Sequence, residues 1–192
     1  MGTVVGNIAQ PKIASNSGFT IVELLIVIVI IGILAAIGLV GYSTIIGSAN
    51  DKSVQTDISE LADIVKLRTL DDQGAPDGGI TSAGVGTASA FAGTSFRPNP
   101  KSYDLTVTNL YYCEGQLAST GQNEYAIVAR AARSGKAFSY ISTKGVSAFT
   151  SSVWTAAPNG QSVCQAVGFT APYTWSYGFN PSGAVWSSWA TP

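Results

Sequence analysis

The sequence predicts an α+β protein: a long N-terminal helix, membrane-spanning in its first half, packed through its second half on a C-terminal antiparallel sheet. Three observations carry that reading. The run from Leu24 to Gly41 holds no charged residue and is rich in Leu, Ile and Val; about 20 such residues in a helix cross a bilayer core. From Tyr42 the apolar residues thin to a stripe, Val54, Ile58, Leu61 and Val65, spaced at the helical period. After Leu70 that period ends, and short runs rich in β-branched and aromatic residues alternate with Gly, Pro and Ser.

Residues 1–18 read as a leader. They are polar to mildly apolar, Lys12 is their one charged side chain, and Pro11 disfavours a helix. Residues 19–70 read as one continuous helix, since no proline lies between Phe19 and Leu70. Its 19–46 part is membrane-grade, with apolar residues on every face. Its 47–70 part is amphipathic: Asp51, Lys52, Gln55, Asp57, Glu60, Asp63 and Lys66 fill the faces beside the stripe. The stripe is expected to cover one apolar face of the sheet, with Asp57, Glu60 and Asp63 off the contact. Gly74 and Pro76 stop the helix.

Residues 71–103 read as a connecting loop, and residues 104–192 as a β-rich head. Strands are predicted over 104–113, 124–131, 136–143, 163–169 and 173–179, with a Gly-containing hairpin turn at Ala132-Arg133-Ser134-Gly135.

Composition narrows the chemistry. The 192 residues are 46% hydrophobic but only 11% charged, well under half the charged share of about 25% usual in soluble domains. The net charge of −1 points to no particular partner. There is no histidine, which removes His-based acid–base, triad and metal chemistry. No Asp or Glu follows Glu124, so the last third holds neither a carboxylate pair nor an acidic calcium loop. No catalytic, metal or cofactor site is expected. The two cysteines, Cys113 and Cys164, lack a CxxC or zinc spacing and read, in an exported protein, as one disulfide.

The string Gly18-Phe19-Thr20-Ile21-Val22-Glu23, running into the apolar helix, resembles the processing site of type IV prepilins. The resemblance implies cleavage between Gly18 and Phe19 by a membrane prepilin peptidase, and N-methylation of the new N-terminal Phe19 by the same type of enzyme. It implies a pilin-like fold, a single-pass precursor in the cytoplasmic membrane, and a homo-oligomeric helical filament outside the cell, built by a pilus assembly machinery. Glu23 is an intramembrane carboxylate and hence a functional candidate. Cleavage creates an amine on Phe19, and the resemblance implies that Glu23 of one subunit meets Phe19 of a neighbour, which would set register. Many members of that family carry a proline inside the apolar helix; here Gly32, Gly38 and Gly41 occur without one. The resemblance covers about residues 18–45.

Other readings stay open beside the structural filament subunit. One is a pseudopilin of a type II-like secretion system. Another is a minor pilin that binds DNA or a surface, serving adhesion, motility or uptake. Arg130, Arg133, Lys136 and Lys144 make the last third cationic, although a solvated hairpin face explains them as well. Trp154, Trp175, Trp186 and Trp189, with Phe169, Tyr173, Tyr177 and Phe179, would fill a core or, if exposed, grip a ligand. An ordinary secretory signal would use Leu24–Leu34, with a cut near Ala36-Ile37-Gly38, and would release a secreted protein. A single-pass anchored enzyme is the remaining class.

Overall fold

Helix α1, Ile21–Asp71, is the first element of the computed structural model, which describes residues 18–71, 84–85, 96–155, 158–187 and 190. The leader up to residue 17, the expected stop at Gly74 and Pro76, most of the 71–103 loop and Trp189 lie outside the described residues. The chain divides into two units, Met1–Tyr42 and Ser43–Pro192. In the first unit, Gly18, Phe19 and Thr20 precede α1, and every side chain described is exposed.

In the second unit, α1 buries the stripe that its periodicity predicts. Val54, Ile58 and Leu61 are fully buried, with Ala62 and Val65 beside them. They pack with Tyr103, Leu110, Tyr112, Tyr125, Ile127, Ala129 and Phe138 in one apolar cluster. The sheet beneath consists of β2 (Asn109–Leu117), β3 (Asn123–Arg130), β4 (Ala137–Ile141), β5 (Gly145–Phe149) and β6 (Phe169–Asn180), in the order β6-β2-β3-β4-β5 with antiparallel neighbours. Two short strands share the other edge of β6. β1 (Gly84–Val85) pairs parallel at Thr174 and Trp175, and β7 (Val185–Trp186) antiparallel at Phe179 and Asn180.

Side chains alternate across a strand, and the register sorts them into two faces. Tyr112, Ile127 and Tyr140 align across β2, β3 and β4 on the α1 face. Cys113, Ala126 and Ile141 align on the other. That second face is also covered, by helix α2 (Gly160–Val167) and by Trp154. The head is therefore three-layered, where the sequence suggests one covered face.

Three expectations are corrected. The 163–169 segment is not a strand: α2 occupies it through Val167. Asn159 caps the helix by accepting from the Ser162 N–H at 2.8 Å, Ser162 answers the Asn159 N–H at 3.3 Å, and Gly168 ends the helix at φ 113°. Those signals outweigh the β-branched Val163 and Val167. Trp175 lies over Gly160 so closely that a Cβ there would fall 1.9 Å from its ring. Residues 104–108 turn before β2 begins, because the Asp104 carboxylate accepts from the Thr106 N–H at 3.0 Å.

The third correction concerns Asp57, which is buried on the contact side of α1. It accepts from the Tyr103 hydroxyl at 2.7 Å and the Asn99 N–H at 3.3 Å, both at Oδ2. Glu60 and Asp63 are exposed, as expected. Nearly two turns earlier, Asp51 is buried too, pairing with Lys136 at 3.3 Å and accepting from the Ser134 hydroxyl. Two carboxylates thus fasten α1 to the 99–103 segment and to the β3–β4 turn.

Burial pushes the Asp57 carboxyl up, against the opposing pull of the Tyr103 and Asn99 donors. Burial and the Asp57 charge push the Tyr103 hydroxyl well up. An acid whose folded pKa is raised binds its proton more tightly when folded. Its contribution to stability is complete below about pH 4, the ordinary carboxylate value, and is lost as pH rises through the folded pKa. Asp57→Asn keeps one acceptor oxygen for both donors and carries no charge. The variant is expected to melt about 2–4 °C above the wild type at pH 7, with the gap closing toward pH 3. Parallel melting curves across that range would show that Asp57 is not held at a raised pKa. Asp57→Ala strands both donors and is expected to lose about 1–3 kcal/mol.

Candidate processing and assembly site

The N-terminal segment follows from a local capping rule. Thr20 precedes the first helical residue and Glu23 stands three positions on, the spacing of a reciprocal cap. The Glu23 carboxylate accepts from the Thr20 N–H at 2.9 Å and from the Thr20 hydroxyl at 2.7 Å; the Glu23 N–H donates to that hydroxyl oxygen at 3.2 Å. Two otherwise orphaned backbone donors are satisfied, and the helix start is held two residues past the Gly18–Phe19 peptide. That peptide lies outside the helix, with both residues exposed.

The Thr-x-x-Glu spacing ahead of an apolar run marks this cap in the sequence; the prepilin resemblance gives roles to Gly18, Phe19 and Glu23 and none to Thr20. The structure adds that Glu23 is not an unpartnered carboxylate in the uncleaved chain: its hydrogen bonds come from Thr20. An amine created at Phe19 would arise one residue before Thr20, whose N–H and hydroxyl hold this carboxylate.

Beyond Glu23, α1 presents its apolar residues outward from Leu24 to Leu39, none of them buried. Among the described residues this is the one helix long and apolar enough to cross a membrane. Residues 13–39 match the family model described as the prokaryotic N-terminal methylation motif. This is a type IV pilin-like N-terminus. No curated protein and no solved structure matches the chain. The pilin-like motif and the α+β architecture, a long apolar helix continuing onto an antiparallel sheet, agree with each other.

In the head, the other candidates separate. Cys113 of β2 and Cys164 of α2 form a disulfide with Cα atoms 5.6 Å apart. The four cations of the last third do not act as one group. Arg130 is half-buried, paired with Asp104 at 3.5 Å and donating to the Trp154 carbonyl at 3.2 Å. Lys136 pairs with Asp51, while Arg133 and Lys144 sit at turns joined to opposite ends of β4. The aromatics divide by burial. Trp154, Phe169, Tyr173 and Phe179 are buried, and Trp175, Tyr177 and Trp186 are half-buried in ring contacts. No exposed aromatic platform exists among them.

Proposed function

We propose that the protein is a non-enzymatic subunit of a type IV pilus-like filament. It is made as a single-pass precursor in the cytoplasmic membrane, cleaved between Gly18 and Phe19, N-methylated at Phe19, and assembled outside the cell. The observation that carries this reading is the methylation motif over residues 13–39, running into the exposed apolar start of α1. The partners that follow are a prepilin peptidase with methyltransferase activity, an assembly machinery, and further copies of this chain. Mass spectrometry of the mature protein is expected to find Phe19 first and methylated. A mature chain beginning near Leu39 would sink the proposal in favour of a secretory signal.

Glu23 supplies the assembly test. Docking is favoured when the carboxylate of one subunit meets the Phe19 amine of a neighbour, because either charge alone is costly in an apolar surround. Glu23→Ala and Glu23→Leu are expected to insert normally, since the apolar run is untouched, and to lose most filament yield. Wild-type yield in both variants would remove Glu23 from the assembly role. Purified filaments made mainly of this chain distinguish a major pilin from a pseudopilin or minor subunit, which would be sparse.

A further inference from the structure

Asn159-Gly160 is the one Asn-Gly pair in the sequence, and it stands at the start of α2. Each member meets a different requirement. The cap needs a side-chain oxygen at 159, which Asn presents to the Ser162 N–H at 2.8 Å. Position 160 needs a residue without a side chain, because a Cβ there would fall 1.9 Å from the Trp175 ring. Ser, Thr or Asp would also serve as caps, but only Gly fits beneath Trp175.

The pair is chemically labile for the same reason that it packs. An asparagine amide is open to attack by the backbone nitrogen of the next residue, and a side chain on that residue shields the nitrogen. Gly160 has none. Its N–H is the first of the helix, so no intrahelical carbonyl accepts from it. In the reaction the Gly160 nitrogen bonds to Cγ of Asn159, the Cγ–Nδ2 bond breaks, and the Gly160 proton leaves with the ammonia. Water then opens the five-membered imide. Addition at Cγ gives aspartate on the original backbone. Addition at the main-chain carbonyl carbon gives isoaspartate, with the chain rerouted through the former side chain.

The folded head blocks the first step. Asn159 is extended, at φ −120° and ψ 159°, and the planar imide requires a quite different ψ. The Ser162 hydroxyl accepts from the Asn159 N–H at 3.3 Å and donates to the Asn159 carbonyl at 2.9 Å. The flanks are anchored as well. The Tyr111 hydroxyl donates to the Pro158 carbonyl at 2.7 Å, and the Val163 N–H to the Asn159 carbonyl at 3.1 Å. Ring closure therefore requires the cap to open.

We infer that Asn159 is a self-modifying site gated by the cap of α2. It converts to aspartate and isoaspartate when the start of α2 detaches, and it is spared while the cap is closed. The two products act in opposite ways. Aspartate keeps a capping oxygen, and its charge suits a helix N-terminus. Isoaspartate adds a backbone atom between 159 and 160, which draws the side chain off Ser162 and displaces Gly160 from Trp175. Water does not restore the amide, so an opening that reacts leaves a permanent mark on the layer opposite α1. None of this depends on the filament reading.

The full chain in detergent micelles, unreduced and in mildly alkaline buffer, tests this. Digests are read by electron-transfer fragmentation, which tells aspartate from isoaspartate at residue 159. Asp77-Gly78, which isomerises through the same kind of imide, is read as a separate peptide. Conversion at Asn159 is expected to be about tenfold slower in the folded chain than in the same chain unfolded in guanidinium chloride. Ser162→Ala removes the reciprocal bond and leaves α2 its disulfide. It is expected to convert about threefold faster than the wild type when folded, and at the same rate when unfolded. The wild type at guanidinium concentrations below the head's transition gives a second reading that needs no variant, and its rate should rise before the transition. Equal rates in the folded and unfolded wild type overturn the inference, as does an Asn159 that stays intact in the unfolded chain. A folded Ser162→Ala that converts at the wild-type rate, or a wild-type rate that rises only with global unfolding, removes the cap as the gate and also overturns it.

Discussion

Ile58→Asp is expected to abolish cooperative unfolding of a soluble fragment that begins at Ser48. Ile58 has no exposed surface and sits in the centre of the α1 stripe, between Val54 and Leu61, against the sheet. Removing its side chain alone is expected to cost about 2–5 kcal/mol. The new carboxylate would add a desolvation cost of several kcal/mol, with no cation supplied. Together these approach the whole stability of a typical domain, about 5–15 kcal/mol. Glu60, two residues on and exposed, is the control: Glu60→Ala is expected to stay within about 0.5 kcal/mol of the wild type. A fragment beginning at Gln73 lacks the covering helix and is expected to aggregate. Thermal melts decide the matter. A sharp transition in Ile58→Asp, or a stable fragment without α1, would mean that the stripe serves contacts between subunits.

Breaking the Cys113–Cys164 bridge is expected to cost about 4 kcal/mol by the chain-entropy model, given the sequence separation of 51. The reason for so large an effect lies in what the bridge holds. Helix α2 has only 8 residues, too few to persist alone in water. It covers the sheet face opposite α1, and both cysteines are fully buried in that layer. Replacing both by Ala should therefore lower the urea midpoint and expose the Cys113–Ala126–Ile141 face. Thiol labelling of the unfolded, unreduced wild type should find no free cysteine. A midpoint unchanged in the double variant would show that packing and the Asn159 cap hold α2 without the bridge.

The parts of the fold legible in the residues were those governed by a local period or a linear motif. The stripe of α1 was one, because each member is related to the next by a single helical turn. The hairpin between β3 and β4 was another, marked by its Gly-containing turn. The N-terminal methylation motif is legible in the same way, and its Thr-x-x-Glu spacing marks the Thr20–Glu23 cap. The 163–169 segment went the other way. Its valines suit a strand, and the Asn159 cap that makes it a helix lies just upstream of the β-branched run. The two-residue strands β1 and β7 carry no periodic signal at all, since they exist only by pairing with β6.

What the chain's own order of residues settles here is the membrane-grade run, the motif that precedes it and the stripe that follows. All three depend on neighbours a few residues away. The tertiary structure decides which charges are hidden and which are presented. Asp57 reads as a solvent residue until Tyr103 and Asn99, more than 40 residues distant, supply its donors. Lys136 and Asp51, 85 residues apart, look unrelated until the docking of α1 pairs them. Desolvation and local potential are set by whatever surrounds a group in space. Strand register and helix docking choose those surroundings, and neither is written in any short stretch of the chain.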